Sequence, residues 1–210
     1  MTTPPLYNLS FTAASLRPEL AGILAEHYLD SGSWDETKEW ALSTNALQCS
    51  SATSSNRLER EIRPRLQTLT ADQLKLLSQS GMDSKTALSW LAAVKKSPFL
   101  FDFSSELLRN KLEVFDVTLR PSDYENFIEQ HTSQQSQLAD ISESSLDKLR
   151  RVLLRMLREV GILGEGPEFG TLSRPVIPSD VFSVIIADHP KWLAAFLAPD
   201  HEISSFLPAS

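Results

Sequence analysis

Between Ser142 and Val160 apolar side chains recur at steps of three and four residues. At 100° per residue, Leu146, Leu149, Leu153, Met156, Leu157 and Val160 fall in one arc of roughly 100°. Lys148, Arg151, Arg155 and Arg158 fall in a second arc of roughly 80°, almost opposite the first. The spacing predicts a helix that buries one side and shows a row of cations on the other. A similar period appears earlier, where Leu58, Ile62 and Leu66 share one side and Arg57, Arg60 and Arg63 share another.

Start and stop signals frame the remaining helices. Pro18 opens a helix over about 16–30 that closes at Gly32. Ser33-Trp-Asp-Glu36 is a capping box, which predicts a helix from Trp34 to Ser43. Ser51 or Thr53 caps the next one, which should kink or end at Pro64. Thr70-Ala-Asp-Gln73 is a second box, and its helix stops at Gly81. Helices follow over 83–96, 99–113 and 121–130, the 99–113 segment being rich in Phe and Leu. Thr132–Gln137 is polar and reads as a mobile loop. Gly161–Pro178 holds four of the seven glycines and reads as a small β-hairpin or a plain loop, the one place where strands are expected. Two short helices over 179–187 and 190–198 precede a loose end. The reading is an all-α fold with at most one small hairpin near 161–178. It is one helical domain over 1–210, with sub-regions at 16–66, 70–135 and 138–198.

Charge sharpens this picture. The chain of 210 residues carries a formal net charge of −7, so it does not coat nucleic acid by bulk charge. Yet Arg57–Arg65 holds four Arg against two Glu, and Asp147–Glu159 holds five basic residues against two acidic ones. Two basic islands sit in an acidic body, and a linear array of cations suits a phosphate backbone. Lys95 and Lys96 close a helix, where the dipole favours cations in any case. No apolar run reaches 18 residues, so no membrane span is expected. The N-terminus lacks the pattern of a secretion signal. The single Cys49 precludes an internal disulfide, which points to the cytoplasm.

Catalytic signatures are missing. Neither a phosphate-binding glycine loop nor a Gly-x-Ser-x-Gly elbow occurs. His27, His131, His189 and His201 are scattered without metal-ligand spacing. Carboxylates such as Glu125 and Glu129 read as solvated helix surface. No enzyme activity, cofactor or metal is expected. Trp34–Leu66 instead has the layout of a helix-turn-helix, with a connector of about seven residues in place of the compact turn. Ser54 and Ser55 sit near the start of its second helix, where hydroxyls and free N–H groups meet phosphates. The candidate DNA-binding residues are Ser54, Ser55, Arg57, Arg60, Arg63 and Arg65 in the first island. In the second they are Lys148, Arg150, Arg151, Arg155 and Arg158, followed by a wing-like segment over 161–178.

These same runs carry a resemblance. Trp34-Asp-Glu-Thr-Lys, Leu47-Gln, Leu58 to Leu66 and Ser142 to Leu163 resemble the BrxA family, the small accessory proteins of bacteriophage exclusion (BREX) systems. The resemblance runs from about Leu9 to Leu197 and rests on spaced helix patterns, not on a catalytic signature. It implies a NusB-like helical fold, helix-turn-helix elements and binding to double-stranded DNA within phage defence. On this reading the chain is a cytoplasmic, monomeric accessory protein that grips phosphates with weak sequence preference, since few Asn or Gln lie within the basic faces. Two alternatives remain open: an adaptor whose Arg rows dock on other BREX subunits, and an RNA-binding protein of the NusB type.

Overall fold

The computed structural model describes residues 6–7 and 9–207. Met1–Pro5, Asn8 and Pro208–Ser210 lie outside the described residues, so the ends of the 1–210 span are not covered. The helices are α1 (Pro18–Ser31), α2 (Trp34–Ser43), α3 (Ala52–Leu66), α4 (Ala71–Gln79), α5 (Met82–Lys96), α6 (Pro98–Asp102), α7 (Arg109–Glu113), α8 (Pro121–Thr132), α9 (Ser136–Ala139), α10 (Glu143–Glu159), α11 (Ser179–Asp188) and α12 (Asp200–Ser205). The strands are β1 (Thr118–Leu119), β2 (Leu163–Gly164) and β3 (Gly170–Leu172). The protein is mainly helical with a small antiparallel sheet. The consecutive sub-regions read from the sequence are not how the residues group. The chain divides into two compact units, one of Ala13–Lys96 with Ile177–Asp188 and one of Met1–Thr12, Ser97–Val176 and His189–Ser210.

The first is a six-helix unit built from α1–α5 and α11. Gly32 takes a φ of 70° and its N–H donates to Tyr28 O, ending α1 where the sequence expects. Gly22 lies where a β-carbon would meet Lys85 and the Leu77 carbonyl at 3.1–3.3 Å, which lets α1 pack closely on α4 and α5. Ser33, Ser51 and Thr70 each accept an N-cap hydrogen bond, and Thr70 with Gln73 completes a reciprocal box. α3 does not end at Pro64 but continues two residues further, to Leu66. Proline removes one ladder hydrogen bond near the helix end, and tertiary anchoring of Ile62, Arg65 and Leu66, all buried, offsets that loss.

Long-range polar bonds bring α11 back to this unit. Buried Gln73 donates to Val184 O at 3.0 Å, and the Ser84 hydroxyl donates to the Asp180 carboxylate at 3.0 Å. Lys95 pairs with Asp188 at 2.7 Å and donates to Gln73 Oε1 at 2.9 Å. Lys95 is therefore an inward-facing cation whose role exceeds the helix-dipole placement expected for it.

The second, sheet-bearing unit holds a cluster of rings. Phe99 and Phe103 on one helical stretch meet Phe127 of α8 at centroid distances of 5.8 and 5.0 Å. From the N-terminal segment Phe11 stacks on Phe99 and Tyr7 meets it edge-on. Between α6 and α7 the backbone widens to a π-turn over Phe103–Leu108, and the Ser104 and Ser105 hydroxyls donate back to Leu100 O and Phe101 O.

The sheet has the order β1-β3-β2, with Thr118 opposite Thr171 and Leu163 opposite Leu172. Strand structure is thus not confined to 161–178, because β1 joins from a distant segment. Gly170, with φ of 136°, is required here, since a β-carbon would run into the Gly164 carbonyl.

Two further expectations change. The 132–137 segment is not simply a loose loop: α9 begins at Ser136, and buried Gln135 accepts the Tyr7 N–H at 2.8 Å. The segment expected to be loose holds α12 over Asp200–Ser205, with Arg109 paired to Asp200 at 2.6 Å and Arg174 paired to Glu202.

Candidate nucleic-acid interface

α10 delivers the geometry its sequence spacing calls for. Ser142 caps it by accepting from the Ser145 N–H. Leu149, Leu153, Met156 and Leu157 are fully buried, each contributing about 1.5–3 kcal/mol relative to an exposed position. On the other side Arg151, Arg155 and Arg158 are exposed and Lys148 is half-buried. Among the described residues Lys148 and Arg155 take no part in any ion pair. The stripe has carboxylates at its edges, Asp147 and Glu159.

Arg150 is different. It pairs with Asp147 at 2.7 Å, and its guanidinium lies 6.0 Å from the Tyr124 ring and 5.7 Å from the Phe169 ring. Tyr124 also donates from its hydroxyl to Leu146 O at 3.3 Å. Burial pushes the Tyr124 hydroxyl well above the usual tyrosine range; Arg150 pulls it partly back, and Asp147 adds to the rise. Arg158 keeps one edge in solvent while its Nη2 donates to Phe169 O at 2.8 Å. Arg150 and Arg158 thereby pin the β2–β3 turn beside the helix. That turn does not make a basic wing, because it exposes Glu165 and Glu168.

The first island is smaller than its sequence suggests. Ser55 and Arg65 are buried, so neither presents a surface to a duplex. Arg65 donates to Ser15 O at 2.8 Å and Ala14 O at 2.9 Å and pairs with Glu61 at 2.8 Å. Arg63 is half-buried and bonded to Glu59, one turn before it. Ser54, Arg57 and Arg60 remain exposed. The connector before α3 is itself folded: Leu47 is buried, and the Asn45 side chain brackets Cys49, accepting its N–H and donating to its carbonyl at 3.1 Å each.

Comparison with known proteins gives the family and the fold. The BrxA family model matches residues 5–189. The chain belongs to the BrxA family. A BREX protein BrxA of Bacillus cereus is 24% identical over 152 residues, covering 72% of this chain and 76% of that one. A BREX protein BrxA of Escherichia coli is 27% identical over 139 residues, covering 66% of this chain and 65% of that one. The crystal structure of an uncharacterized protein from Magnetospirillum magneticum superposes with a TM-score of 0.78 at 20% identity, covering 92% of this chain and 98% of that one. That likeness shows a shared fold.

The BrxA-family reading from the sequence thus stands, and the residues it singled out divide. Lys148, Arg151, Arg155 and Arg158 form one continuous surface, and Ser54, Arg57 and Arg60 form a lesser one. Sequence reasoning missed Tyr124 and Phe169, the rings that orient Arg150. The Asp147–Arg150 spacing of three was the available sign that Arg150 has a local partner. Among the described residues no group of three or more His, Cys, Asp or Glu is placed to hold a metal ion, and no helix is long and apolar enough to cross a membrane.

Proposed function

We propose that this BrxA-family chain is the duplex-DNA-binding accessory protein of a BREX phage-defence system and grips phosphates through the outer face of α10. The observation that carries the reading is the contrast across that one helix. Four cations stand on a face whose reverse is locked into the core, so their spacing is preorganised for a linear array of phosphates. The names of the relatives, each a BREX protein BrxA, supply the setting. In this reading the protein is a cytoplasmic monomer, and it binds and does not catalyse.

α2 and α3 act as a second, weaker contact of helix-turn-helix type through Ser54, Arg57 and Arg60. The acidic tip at Glu165 and Glu168 turns away from phosphate, so α10 and not the hairpin faces the duplex. A gel-shift series of the purified protein against duplex, single-stranded DNA and RNA at rising salt tests this. About four phosphate contacts on α10 and up to two on α3 give a log–log slope of roughly −4 to −5 for duplex. Absence of duplex binding at 50 mM salt would sink the proposal. Stronger binding to RNA would replace it with the RNA reading that a NusB-like fold suggests.

A further inference from the structure

The turn between α7 and β1 displays an apolar knob. Phe115 is 89% exposed, Val114 73% and Val117 43%. Phe115 also has a left-handed φ of 60°, a conformation that a residue with a bulky side chain adopts only when its surroundings impose it. The surroundings here do so. The Phe115 N–H donates to Leu112 O at 3.0 Å and the Asp116 N–H to Lys111 O at 2.8 Å. Beneath the turn the buried Lys111 ammonium pairs with Asp116 at 2.6 Å and Asp123 at 2.9 Å. Arg120 pairs with Asp116 at 2.8 Å from the other side. Val117 O accepts the Leu172 N–H at 2.7 Å, which ties the turn to the strand segment. A backbone fixed on an ion-paired base, against the preference of the residue it carries, loses little freedom when the exposed ring is buried by a partner. Anchors of protein interfaces have this property.

Neighbouring charge selects the occupant. Glu113 is exposed and, among the described residues, has no ion pair, while Asp116 follows the ring in sequence and pairs with Lys111 and Arg120. With Asp123 the turn carries three carboxylates against Lys111 and Arg120. A phosphate backbone is repelled by such a rim, which argues against a wedge into DNA. A protein pocket lined by apolar side chains and edged by Lys or Arg fits both ring and rim.

We infer that Val114, Phe115 and Val117 form a preorganised anchor that inserts into an apolar, basic-rimmed pocket of another protein subunit of the same BREX system. The inference does not depend on duplex binding by α10; it shares with that proposal only the family setting.

The test uses the full chain and the variants Phe115→Ala, Phe115→Asn and Glu113→Lys. Each is measured by biolayer interferometry against each of the other purified subunits of its BREX system, and by gel shift and sedimentation velocity. Phe115→Asn removes the ring but keeps a residue that accepts the left-handed backbone, so it separates loss of the ring from loss of the turn. One subunit should bind the parent, both Phe115 variants should weaken it about tenfold or more, and Glu113→Lys should cause a smaller, salt-dependent loss. Duplex affinity should be unchanged throughout. The inference is overturned if no subunit binds the parent, or if both Phe115 variants bind as the parent does. A Phe115-dependent self-association, or a Phe115-dependent fall in duplex affinity, would assign the knob to a second copy or to DNA and would equally overturn it. Failure of the α10 reading would show separately, as an absent duplex shift in the parent.

Discussion

α3 and α10 look alike as strings of letters and are used differently. Both carry several Arg on a face opposite a Leu- and Ile- or Met-containing seam. In α3 two carboxylates sit one turn before two of the arginines, so Glu59 takes Arg63 and Glu61 takes Arg65, and two distant carbonyls complete the coordination of Arg65. In α10 the carboxylates fall at the edges of the stripe, and the centre stays open. The lesson is that cations per turn say less than where the nearest carboxylates fall on the wheel.

The largest effects should come from residues that the comparison assigns to the interior. Leu153→Ala should cost about 2–5 kcal/mol through the cavity it leaves. Arg65→Ala should cost about 3 kcal/mol, because two buried carbonyls and Glu61 lose their partner. Urea denaturation of both variants checks this. An Arg65 variant as stable as the parent would place that side chain at the surface after all.

Next comes binding. Replacing Arg151, Arg155 and Arg158 together by Ala should flatten the duplex salt slope by about 3. Replacing Arg57 and Arg60 should flatten it by about 2 or less. If the α3 pair proves the larger, the ranking of the two helices is reversed. Arg155→Ala alone should change stability by less than about 0.5 kcal/mol, which separates the outer face of α10 from its inner one in a single experiment.

The smallest effect concerns acid. Hydrogen bonds from Arg120 and Lys111 hold the Asp116 carboxyl well below the usual carboxylate range. Its folded pKa is depressed, so its contribution is present above about pH 4 and is lost as the pH falls below that. Asp102 behaves oppositely, because burial, opposed by its hydrogen bond from Tyr7, raises its pKa, and its contribution fades as the pH rises past the ordinary Asp range. Asp116→Asn should flatten the dependence of the urea midpoint between pH 5 and pH 3. An unchanged acid limb would remove the ion-paired base from the account of the Phe115 turn.

What the sequence made legible was local. Pro18, Gly32, Ser33 and Thr70 announce helix ends by chemistry confined to four residues, and the α10 seam announces itself by its period. What stayed hidden depends on partners far along the chain. Thr118–Leu119 is a strand only because Gly170 and Thr171 lie beside it, and two residues carry no alternation to read. Arg65 matched the basic pattern while its acceptors, Ala14 and Ser15, lay some fifty residues away. Lys95 had its counterion at Asp188. The Phe115 turn left no signal in either hydrophobic period, since its residues are apolar and outside.

The division of the chain also bears on its birth. The six-helix unit includes α11, yet residues 97–176 are synthesised between α5 and α11. At roughly 5–20 residues per second, those eighty residues take about 4–16 s to make. Throughout that interval Gln73 and Lys95 can meet each other but neither Val184 nor Asp188, so five helices wait on the ribosome with the α11 side of the unit still open. The six-helix unit, five of whose helices are made early, is therefore completed only when α11 arrives. A nascent chain arrested before Ile177 should remain protease-sensitive within Ala13–Lys96, and one released after Asp188 should not.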